Sequence, residues 1–223
     1  MADITIKNLY DLSHTKAASY LEGFEYPWEA LAGISALIME IGATLSLDEY
    51  DHPEEDVWVA KDANVFASAY IHGPCIIGHN TEVRQCAFIR GSALVGDNCV
   101  VGNSTELKNV IIFDNVQVPH FNYVGDSILG FRSHMGAGSV TSNVKSDKTL
   151  VVINNEGEKI PTNRKKVGAM LGDFVEVGCN SVLNPGTIIC RNSNVYPTSC
   201  VRGVIPEKSI FKNTGKVVIK RVD

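Results

Sequence analysis

Aliphatic residues recur through the chain at a strict interval of six positions, first from Val59 to Leu107 and again from Leu171 to Val201. A small residue follows most of them by four positions, so both types point to the same side of a strand whose side chains alternate with period two. A period of six matches no helix face. It predicts short strands that turn a corner every six residues, as in a hexapeptide-repeat parallel β-helix.

A helical pattern precedes the repeats. Apolar residues between Trp28 and Ile41 recur at helical spacing, and Pro27 suits a first helical turn. The pattern predicts a helix from about Pro27 to Leu45 whose apolar face packs on the β-helix or on a neighbouring subunit. The acidic run from Asp48 to Asp56 contains a proline and is typical of a connector.

The repeats are interrupted once, which divides the chain into stretches. These are an arm and connector (1–56), about three coils (57–113), an irregular stretch (114–170), two further coils (171–205) and a tail (206–223). In the irregular stretch only Tyr123, Leu129 and Met135 keep the interval of six. A loop of about 143–166 contains two strand-like runs around Asn155-Glu156-Gly157, which predicts a protruding hairpin. The tail ends in a basic strand-like run, Lys216 to Arg221.

Composition narrows the class of protein. A hydrophobic content of 44% is enough for a core, and a net charge of −5 argues against a nucleic-acid platform. There is no signal-like segment and no apolar stretch of about 18 residues, so we expect a soluble cytoplasmic protein with no membrane contact. The 6 cysteines form no CxxC pair. Cys75 and Cys99 occupy the small inward position, where a reduced thiol acts as an apolar filler.

A column of basic residues follows from the same spacing. His72, Arg90 and Lys108 each come one position after an aliphatic repeat residue and are eighteen residues apart. If eighteen residues make one coil, they stack on one edge at roughly 5 Å. Like charges at that distance repel by roughly 1 kcal/mol in water. The column is stable as a splayed, solvated ladder, or when an anion such as a substrate phosphate bridges it.

The irregular stretch holds the densest group of chemically capable residues, from Pro119 to Asp126, from Met135 to Gly138, and at Asn143. His120 is the side chain in this group best suited to take a proton near neutral pH. The alternative is a histidine that only fills an irregular corner.

These residues carry a resemblance to a known family. The run PHFNYVGDS from Pro119 to Ser127, followed by Gly136-Ala137-Gly138 and Asn143, resembles the acetyltransferase domain of the bifunctional glucosamine-1-phosphate acetyltransferase/N-acetylglucosamine-1-phosphate uridyltransferase family. The archaeal sugar-1-phosphate nucleotidyltransferase/amino-sugar acetyltransferase type is more similar, and the segment from Lys159 to Ala169 is also similar to it. The resemblance covers about residues 85–205. Nothing in residues 1–56 resembles the family's nucleotidyltransferase domain, so we expect no nucleotidyltransferase activity from this chain.

The resemblance implies a left-handed β-helix, a homotrimer with active sites between subunits, and acetyl-CoA as the acetyl donor, with no metal required for the transfer. It also implies roles for residues on the acceptor side. His120 matches the general base that takes a proton from the sugar amine. Tyr123 matches a residue that binds the sugar or its phosphate. It is also the alternative base, and a poorer proton acceptor at neutral pH because the pKa of a tyrosine is ordinarily about 10. Arg90 and Lys108 match phosphate-binding residues. Asn143 matches a residue that either orients the amine or stabilises the oxyanion.

Further residues match the family less completely. Glu106 resembles a hydrogen-bonding partner of the basic column, and Lys148 corresponds to a lysine of the substrate loop. His134 stands where the bacterial family usually has asparagine, which leaves the identity of the amino sugar open. The residues that match coenzyme contacts are Ala137, Lys166, Cys179 and Pro197. Cys179 replaces a serine-like contact. The C-terminal arginine expected near the coenzyme phosphates has no clear match, and Lys212 or Lys216 is the candidate substitute.

Three classes of function remain open. The first is an N-acetyltransferase acting on an amino-sugar phosphate such as glucosamine-1-phosphate, or on a nucleotide-linked amino sugar. The second is a catalytically silent trimeric scaffold or binding protein, because fold does not determine function. The third is a metal-dependent hexapeptide-repeat enzyme of the carbonic-anhydrase type, which needs three histidines converging on zinc. His72 and His79 fall on different corners, which argues against the third class.

Overall fold

The computed structural model describes residues 1–220 and consists largely of parallel strands stacked in coils. Val59 pairs with Ile77, and Ile77 with Val95, so each eighteen residues return the chain to the same position. The small inward residues include hydroxyls that bond to backbone. Thr81 Oγ1, for example, donates to the Gly96 carbonyl at 2.8 Å. The predicted fold class is confirmed: a left-handed parallel β-helix of hexapeptide repeats with a helical arm and an inserted hairpin.

The strands are short, as a six-residue repeat requires. In chain order they are β1 (Tyr50–Glu54), β2 (Val57–Ala60), β3 (Asn64–Val65), β4 (Tyr70–Ile71), β5 (Cys75–Ile77), β6 (Glu82–Val83), β7 (Phe88–Ile89), β8 (Ala93–Val95), β9 (Val100–Asn103), β10 (Glu106–Ile112), β11 (Gln117–His120), β12 (Tyr123–Leu129), β13 (His134–Met135), β14 (Val140–Thr141), β15 (Val152–Asn155), β16 (Glu158–Pro161), β17 (Ala169–Leu171), β18 (Glu176–Val177), β19 (Val182–Leu183), β20 (Thr187–Ile189), β21 (Asn194–Val195), β22 (Cys200–Val201), β23 (Val204–Ile205), β24 (Ser209–Phe211) and β25 (Val217–Ile219).

Stacked strands form the three faces of the β-helix. Face A contains β2, β5, β8, β17, β20 and β23, together with the second halves of β10 and β12. Face B contains β3, β6, β9, β11, β13, β18, β21 and β24. Face C contains β4, β7, β14, β19 and β22, together with the first halves of β10 and β12. Many corners are turned by asparagines with positive φ, such as Asn80 (φ 53°) and Asn98 (φ 56°), because asparagine tolerates the left-handed conformation.

The interval of six is lost after Leu107 because the corner between face C and face A becomes one residue shorter. Leu107 and Ile112 both point inward from β10, and Val124 and Leu129 both point inward from β12. At these two corners the inward residues are therefore five positions apart instead of six. The shorter corner shifts the phase of the pattern without interrupting the β-helix.

This shift corrects the expected irregular stretch 114–170. Strands β11 to β14 stack in parallel register on the coils before and after them, so the chain is regular up to Thr141. The inward position of β12 is Val124, which is fully buried, and not Tyr123, which the spacing of six placed there. The true interruption is only the insertion between β14 and β17.

The N-terminal arm contains more helices than the pattern predicts. They are α1 (Ile6–Leu9), a 3-10 helix (Leu12–His14), α2 (Ala18–Leu21), a second 3-10 helix (Pro27–Ala32) and α3 (Ile34–Gly42). The single helix expected from Pro27 to Leu45 is thus two segments, because the backbone leaves helical geometry at Gly33. The apolar stripe packs on the β-helix of the same chain: α3 contacts β5, β8 and β10, with Ile34 and Ile38 fully buried.

The expected connector, Asp48 to Asp56, is partly ordered as strand. β1 pairs antiparallel with β2, joining Tyr50 to Ala60 and Asp51 to Val59. The connector therefore adds an antiparallel edge to the first coil of face A. Among residues 1–220, no helix combines the length and the apolar character that crossing a bilayer requires.

The insertion forms the expected hairpin, β15 with β16, but the hairpin does not protrude. Val151 and Ile153 are buried. An added Cβ at Gly186 would lie 2.8 Å from Val151 Cγ1, which shows how closely the hairpin approaches the coil. The Asn155 side chain also donates to the Ala2 carbonyl at 2.9 Å. The hairpin folds back on the β-helix because its alternating apolar residues need a surface to cover.

The tail ends the β-helix with an antiparallel pair. β24 continues face B, and β25 pairs back on it, joining Phe211 to Val217. The expected basic run from Lys216 to Arg221 is strand over Val217–Ile219, while Arg221 lies outside the described residues.

Candidate functional site

A polar cluster occupies the corner where face C ends and face A begins. The Asp126 carboxylate is its centre. Lys108 Nζ lies 3.1 Å from Asp126 Oδ1 and 3.2 Å from Oδ2. Asn109 Nδ2 donates to Oδ1 at 2.9 Å, and Asn143 Nδ2 donates to Oδ2 at 2.5 Å. The Asp126 side chain is only 5% exposed and that of Lys108 is 29% exposed, so the carboxylate is closed off while the ammonium still faces solvent.

The coil register brings this cluster together. Lys108 pairs with Gly125 in parallel strands, which places Asp126 one residue further along, at the shortened corner. Asn109 and Asp126 both have positive φ, 54° and 49°. The insertion begins and ends here, because Val167 N donates to the Asn143 carbonyl at 3.0 Å and Gly168 N donates to the Asp126 carbonyl at 2.8 Å. The corner therefore anchors the loop as well as the side chains.

Tyr123 lies along the outside of face C and reaches the cluster. Its Oη is 3.1 Å from Asn143 Nδ2. An added Cβ at Gly125 would lie 2.4 Å from that Oη, so only glycine leaves room for the ring. Burial raises the pKa of Tyr123, and the Asp126 and Glu106 carboxylates raise it further. The phenol therefore keeps its proton near neutral pH and acts as a donor, which argues against Tyr123 as a base.

The expected basic column forms, but carboxylates already neutralise part of it. Ile71 pairs with Ile89 and Ile89 with Leu107, so His72, Arg90 and Lys108 occupy one corner of successive coils. Arg90 Nη1 lies 2.6 Å from Glu106 Oε1, and Lys108 is paired with Asp126. The like-charge repulsion expected from spacing is therefore relieved within the chain. An incoming anion would share these cations with two carboxylates.

His120 stands at the other end of face C. It ends β11, is exposed, and is followed by a corner at Phe121 (φ 52°). Its backbone is held on both sides: His120 N donates to Asn122 Oδ1 at 3.1 Å, and its carbonyl accepts from Gly138 N at 3.0 Å. Within residues 1–220 the imidazole makes no hydrogen bond. An unpaired ring on a fixed backbone is free to accept a proton from a ligand.

Three of the residues expected to contact the coenzyme line up beneath His120. Met135 pairs with Val177 and Val177 with Val195, so Ala137, Cys179 and Pro197 occupy the same corner of successive coils. The stacking continues through the backbone, since Asn180 N donates to the Ala137 carbonyl and Thr198 N to the Cys179 carbonyl, both at 2.8 Å. This column between face B and face C is half-buried to exposed along its length. It forms a continuous strip of backbone and small side chains.

Other expected site residues lie apart from this strip. His134 points out from face B, where its Nδ1 is 2.8 Å from Glu176 Oε2, so one chain does not bring it next to Tyr123. Lys148 is exposed in the inserted loop, and Lys166 is exposed where the insertion returns to the β-helix, opposite Val144. Lys212 donates its backbone N–H to the Lys216 carbonyl at 2.8 Å, in the turn between β24 and β25.

Two members of the cluster carried no predicted role: Asp126 and Asn109. Asp126 was visible within the PHFNYVGDS run, eighteen residues after Lys108. A strict repeat of eighteen would stack Asp126 directly on Lys108 and suggests an ion pair, although the shortened corner stacks Lys108 on Gly125, one residue before Asp126. Asn109 carried no signal, because its amide reaches Asp126 only after the corner has been shortened.

Comparison with known proteins gives the chain a family. The model of the GMPPB C-terminal domain matches residues 71–218. The Bifunctional protein GlmU of Methanococcus maripaludis (strain C5) is 32% identical over 136 residues, which cover 60% of this chain and 33% of that protein. The bifunctional sugar-1-phosphate nucleotidylyltransferase/acetyltransferase of Sulfurisphaera tokodaii is 31% identical over 156 residues, covering 70% of this chain and 39% of that protein. The chain thus spans well under half the length of these relatives.

Similarity to solved structures is lower. The acetyltransferase domain of PglB from Neisseria gonorrhoeae, in complex with acetyl coenzyme A, is 14% identical with a TM-score of 0.37, covering 80% of this chain and 62% of that one. A putative acetyltransferase of Bacillus cereus is 16% identical with a TM-score of 0.42, covering 74% and 78%. Because the family model matches well over half of the residues, the chain belongs to the GMPPB C-terminal domain family, and its resemblance to the acetyltransferase domain of GlmU-type proteins is confirmed.

Proposed function

We propose that this chain is an acetyl-CoA-dependent N-acetyltransferase that acts on an amino-sugar phosphate, such as glucosamine-1-phosphate, or on a nucleotide-linked amino sugar. The observation that carries the proposal is the column of Ala137, Cys179 and Pro197 that leads to His120, with the Lys108 and Tyr123 cluster on the adjoining face. A strip for a linear thioester thus leads to a free imidazole at one border of face C, and a polar surface suited to a sugar lies at the other border.

The reaction needs one proton transfer and one leaving group. The amine lone pair attacks the thioester carbonyl, an N–C bond forms, and the C–S bond then breaks to release coenzyme A as its thiolate. The nitrogen loses a proton as it becomes an amide, and the His120 imidazole takes that proton as general base. Tyr123 is the weaker candidate for this role because its pKa is raised. The imidazolium that results supplies a proton to the thiolate.

The acceptor binds through the open side of face C. Arg90 and Lys108 remain accessible beside their carboxylate partners, and the three donors of an ammonium group allow Lys108 to contact Asp126 and a phosphate together. Tyr123 contributes a hydroxyl, and Glu106 holds Arg90 in place. His134 and Lys148 complete the acceptor side. The name of the Sulfurisphaera tokodaii relative, which combines a sugar-1-phosphate nucleotidylyltransferase with an acetyltransferase, supports a sugar phosphate as substrate.

Acetyl-CoA binds along the column. Ala137, Cys179 and Pro197 offer backbone groups to the pantetheine arm, whose amides need hydrogen bonds rather than charge. Lys166 lies apart from this column within one chain, so it supplies a positive charge for the coenzyme phosphates across a contact between copies. Lys212 or Lys216 adds a second positive charge below Pro197.

The active unit of this enzyme is a homotrimer. His134 lies on face B and Tyr123 on face C, so a site that uses both needs face B of one copy against face C of another. The outward residues of face C support such a contact, because Tyr70 is 61% exposed, Phe88 41% and Val182 38%. Their burial in an interface removes apolar surface from water. Light scattering at micromolar concentration distinguishes a trimer from a monomer.

The decisive experiment is turnover by the purified chain. Acetyl-CoA is offered with glucosamine, glucosamine-1-phosphate, a second amino-sugar phosphate and a nucleotide-linked amino sugar, while release of the coenzyme thiol is followed. The proposal expects acetylation of a phosphorylated acceptor with a higher kcat/KM than that of its unphosphorylated counterpart. Absence of turnover with every acceptor would leave the silent scaffold as the better description.

A further inference from the structure

The hydrogen bonds around Asp126 have a defined direction. A carboxylate only accepts hydrogen bonds, so each group that faces it must donate. Asn109 and Asn143 therefore both turn their amide nitrogens toward Asp126, at 2.9 and 2.5 Å. Because that carboxylate is buried and the amides are held against it, neither amide can reverse without placing an oxygen against an oxygen. Asp126 thus determines that each asparagine side chain directs its amide nitrogen toward the carboxylate and its amide oxygen away from it.

This direction propagates outward to the open side of face C. Asn143 Nδ2 also lies 3.1 Å from Tyr123 Oη, so the amide donates to the phenol oxygen as well. Both donors of that amide are then used within the chain. Its Oδ1 accepts no hydrogen bond from any residue between 1 and 220, and the Tyr123 hydroxyl, which accepts from Asn143, keeps its own proton for another partner.

We propose that Asp126 is a positioning residue that sets the hydrogen-bond polarity of the acceptor site, so that Asn143 offers a carbonyl oxygen and Tyr123 a hydroxyl proton to the substrate. This inference rests on the proposed function. The Asn143 oxygen accepts one N–H of the attacking amine and directs the nitrogen lone pair toward the thioester. Asn143 is therefore not the donor that stabilises the oxyanion, since an oxyanion needs donors and both of its N–H groups are committed.

The Lys108 ammonium is oriented by Asp126 in the same way, because it only donates hydrogen bonds. Two of its protons face the Asp126 oxygens at 3.1 and 3.2 Å, which leaves one for an acceptor oxygen or phosphate. Asp126 thus orients Lys108 and Asn143 directly and Tyr123 through Asn143. It is too buried to contact the substrate itself. Loss of such a positioning group should lower the rate of acetyl transfer more than the affinity for acetyl-CoA.

The test exchanges the two partners. Asp126→Asn keeps the shape of the side chain but allows it to donate, so the Asn143 amide loses its fixed direction. We expect kcat for the amino-sugar phosphate to fall at least tenfold, with the KM for acetyl-CoA unchanged. Asn143→Asp alone places two carboxylates in contact and should also lower kcat at least tenfold. The Asp126→Asn/Asn143→Asp double variant again pairs one carboxylate with one amide, so it should unfold at a higher temperature than Asn143→Asp. Its carboxylate at position 143 only accepts, so Tyr123 must donate to it, and kcat should stay at least tenfold below wild type.

Asp114→Asn serves as the matched control, because Asp114 is a half-buried corner aspartate on the far side, between face A and face B. It should keep the wild-type kcat. If Asp126→Asn proves insoluble, the double variant carries the test, because it restores the pairing without restoring the polarity. A folded Asp126→Asn variant with wild-type kcat, or a double variant with wild-type kcat, overturns the inference while wild-type activity leaves the proposed function standing. An inactive wild type overturns both.

Discussion

Face A and face C repeat the same six-residue pattern, yet face A is covered and face C is open. The residues that point outward from face A are apolar and almost completely buried: Trp58, Ile76, Leu94, Ile111, Ile128, Met170 and Ile188. The N-terminal arm and the inserted hairpin of the same chain cover them. The outward residues of face C include exposed Tyr70 and Phe88 and half-buried Glu106 and Tyr123.

The difference shows how a uniform repeat acquires a function. Where a strand has three apolar residues in a row, both of its sides are covered, as in any parallel sheet packed on two faces. Where the outward position is polar or aromatic, the face stays available for ligands or for another copy. The four groups of the polar cluster and His120 all lie at the two borders of face C. Changes on the two faces should therefore alter different properties.

The largest effect is expected for stability, on face A. Ile34→Ala removes a fully buried side chain between α3 and the β-helix, and should lower the free energy of unfolding by about 2–5 kcal/mol. Met39→Ala, on the exposed side of the same helix, is the control and should cost only about 0.5 kcal/mol. Urea unfolding measures both. Equal losses would mean that the arm does not stabilise face A.

The next effect concerns catalysis at the border of face C. His120→Ala should lower turnover by roughly a hundredfold or more, the usual scale for a lost general base, with acetyl-CoA binding little changed. His52→Ala, which removes an exposed histidine of β1, should keep the wild-type rate. Turnover is measured in parallel with coenzyme binding by calorimetry. Near-normal turnover in the His120 variant would remove this residue from the mechanism.

A smaller effect should separate substrates. Lys108→Ala should weaken transition-state binding of the phosphorylated acceptor by about 1.5–3 kcal/mol, the scale of a hydrogen bond to a charged group, and affect the unphosphorylated amino sugar little. Arg84→Ala, which removes a half-buried ion pair with Glu82 elsewhere, is the control. The ratio of kcat/KM values for the two acceptors is the measurement. Similar losses for both acceptors would show that Lys108 supports Asp126 and does not hold phosphate.

The smallest effect is a pH dependence of stability on the covered side. Burial raises the pKa of Asp114, and its neighbour Asp97 raises it further. A carboxyl whose folded pKa is raised stabilises the fold when protonated, and this contribution is lost as pH rises through the folded pKa. Asp114→Asn should therefore be more stable than wild type at pH 7, by less than about 1 kcal/mol because the group is partly solvated. The difference should vanish near the unfolded pKa of about 3.9 in urea titrations. A difference that grows in acid would contradict this sign.

Sequence spacing predicted most of the β-helix because the repeat is local. Val59, Ile77 and Val95 align through backbone pairing alone, and the column of His72, Arg90 and Lys108 follows from it. The spacing misplaced Tyr123 because a single shortened corner shifts the phase of everything after it. Nothing local in the sequence marks that corner: its left-handed residues, Asn109 and Asp126, are of a kind found at corners of ordinary length.

The site was predicted in part for a similar reason. The resemblance pointed to His120, Tyr123 and Lys108, but each was assigned a role by itself. Glu106 was expected as a partner of the basic column, and it lies 2.6 Å from Arg90. The contacts of Asp126 with Lys108 and Asn143 were not predicted, because they depend on rotamers and on how neighbouring coils stack. The placement of His134 on face B, paired with Glu176, also became visible only when the faces were built.

By itself the sequence determined the repeat, the inward residues of the coils from Val59 to Leu107 and from Leu171 to Val201, and the identity of the chemically capable groups, because backbone geometry converts a period of six into a stacked strand. Only the tertiary structure decided which face is covered and which is open, since that depends on where the arm and the hairpin fold back. It also decided that the Asp126 carboxylate lies at the centre of the polar cluster. A buried acceptor gives direction to every donor around it, and burial is a property of the assembled coils rather than of any segment.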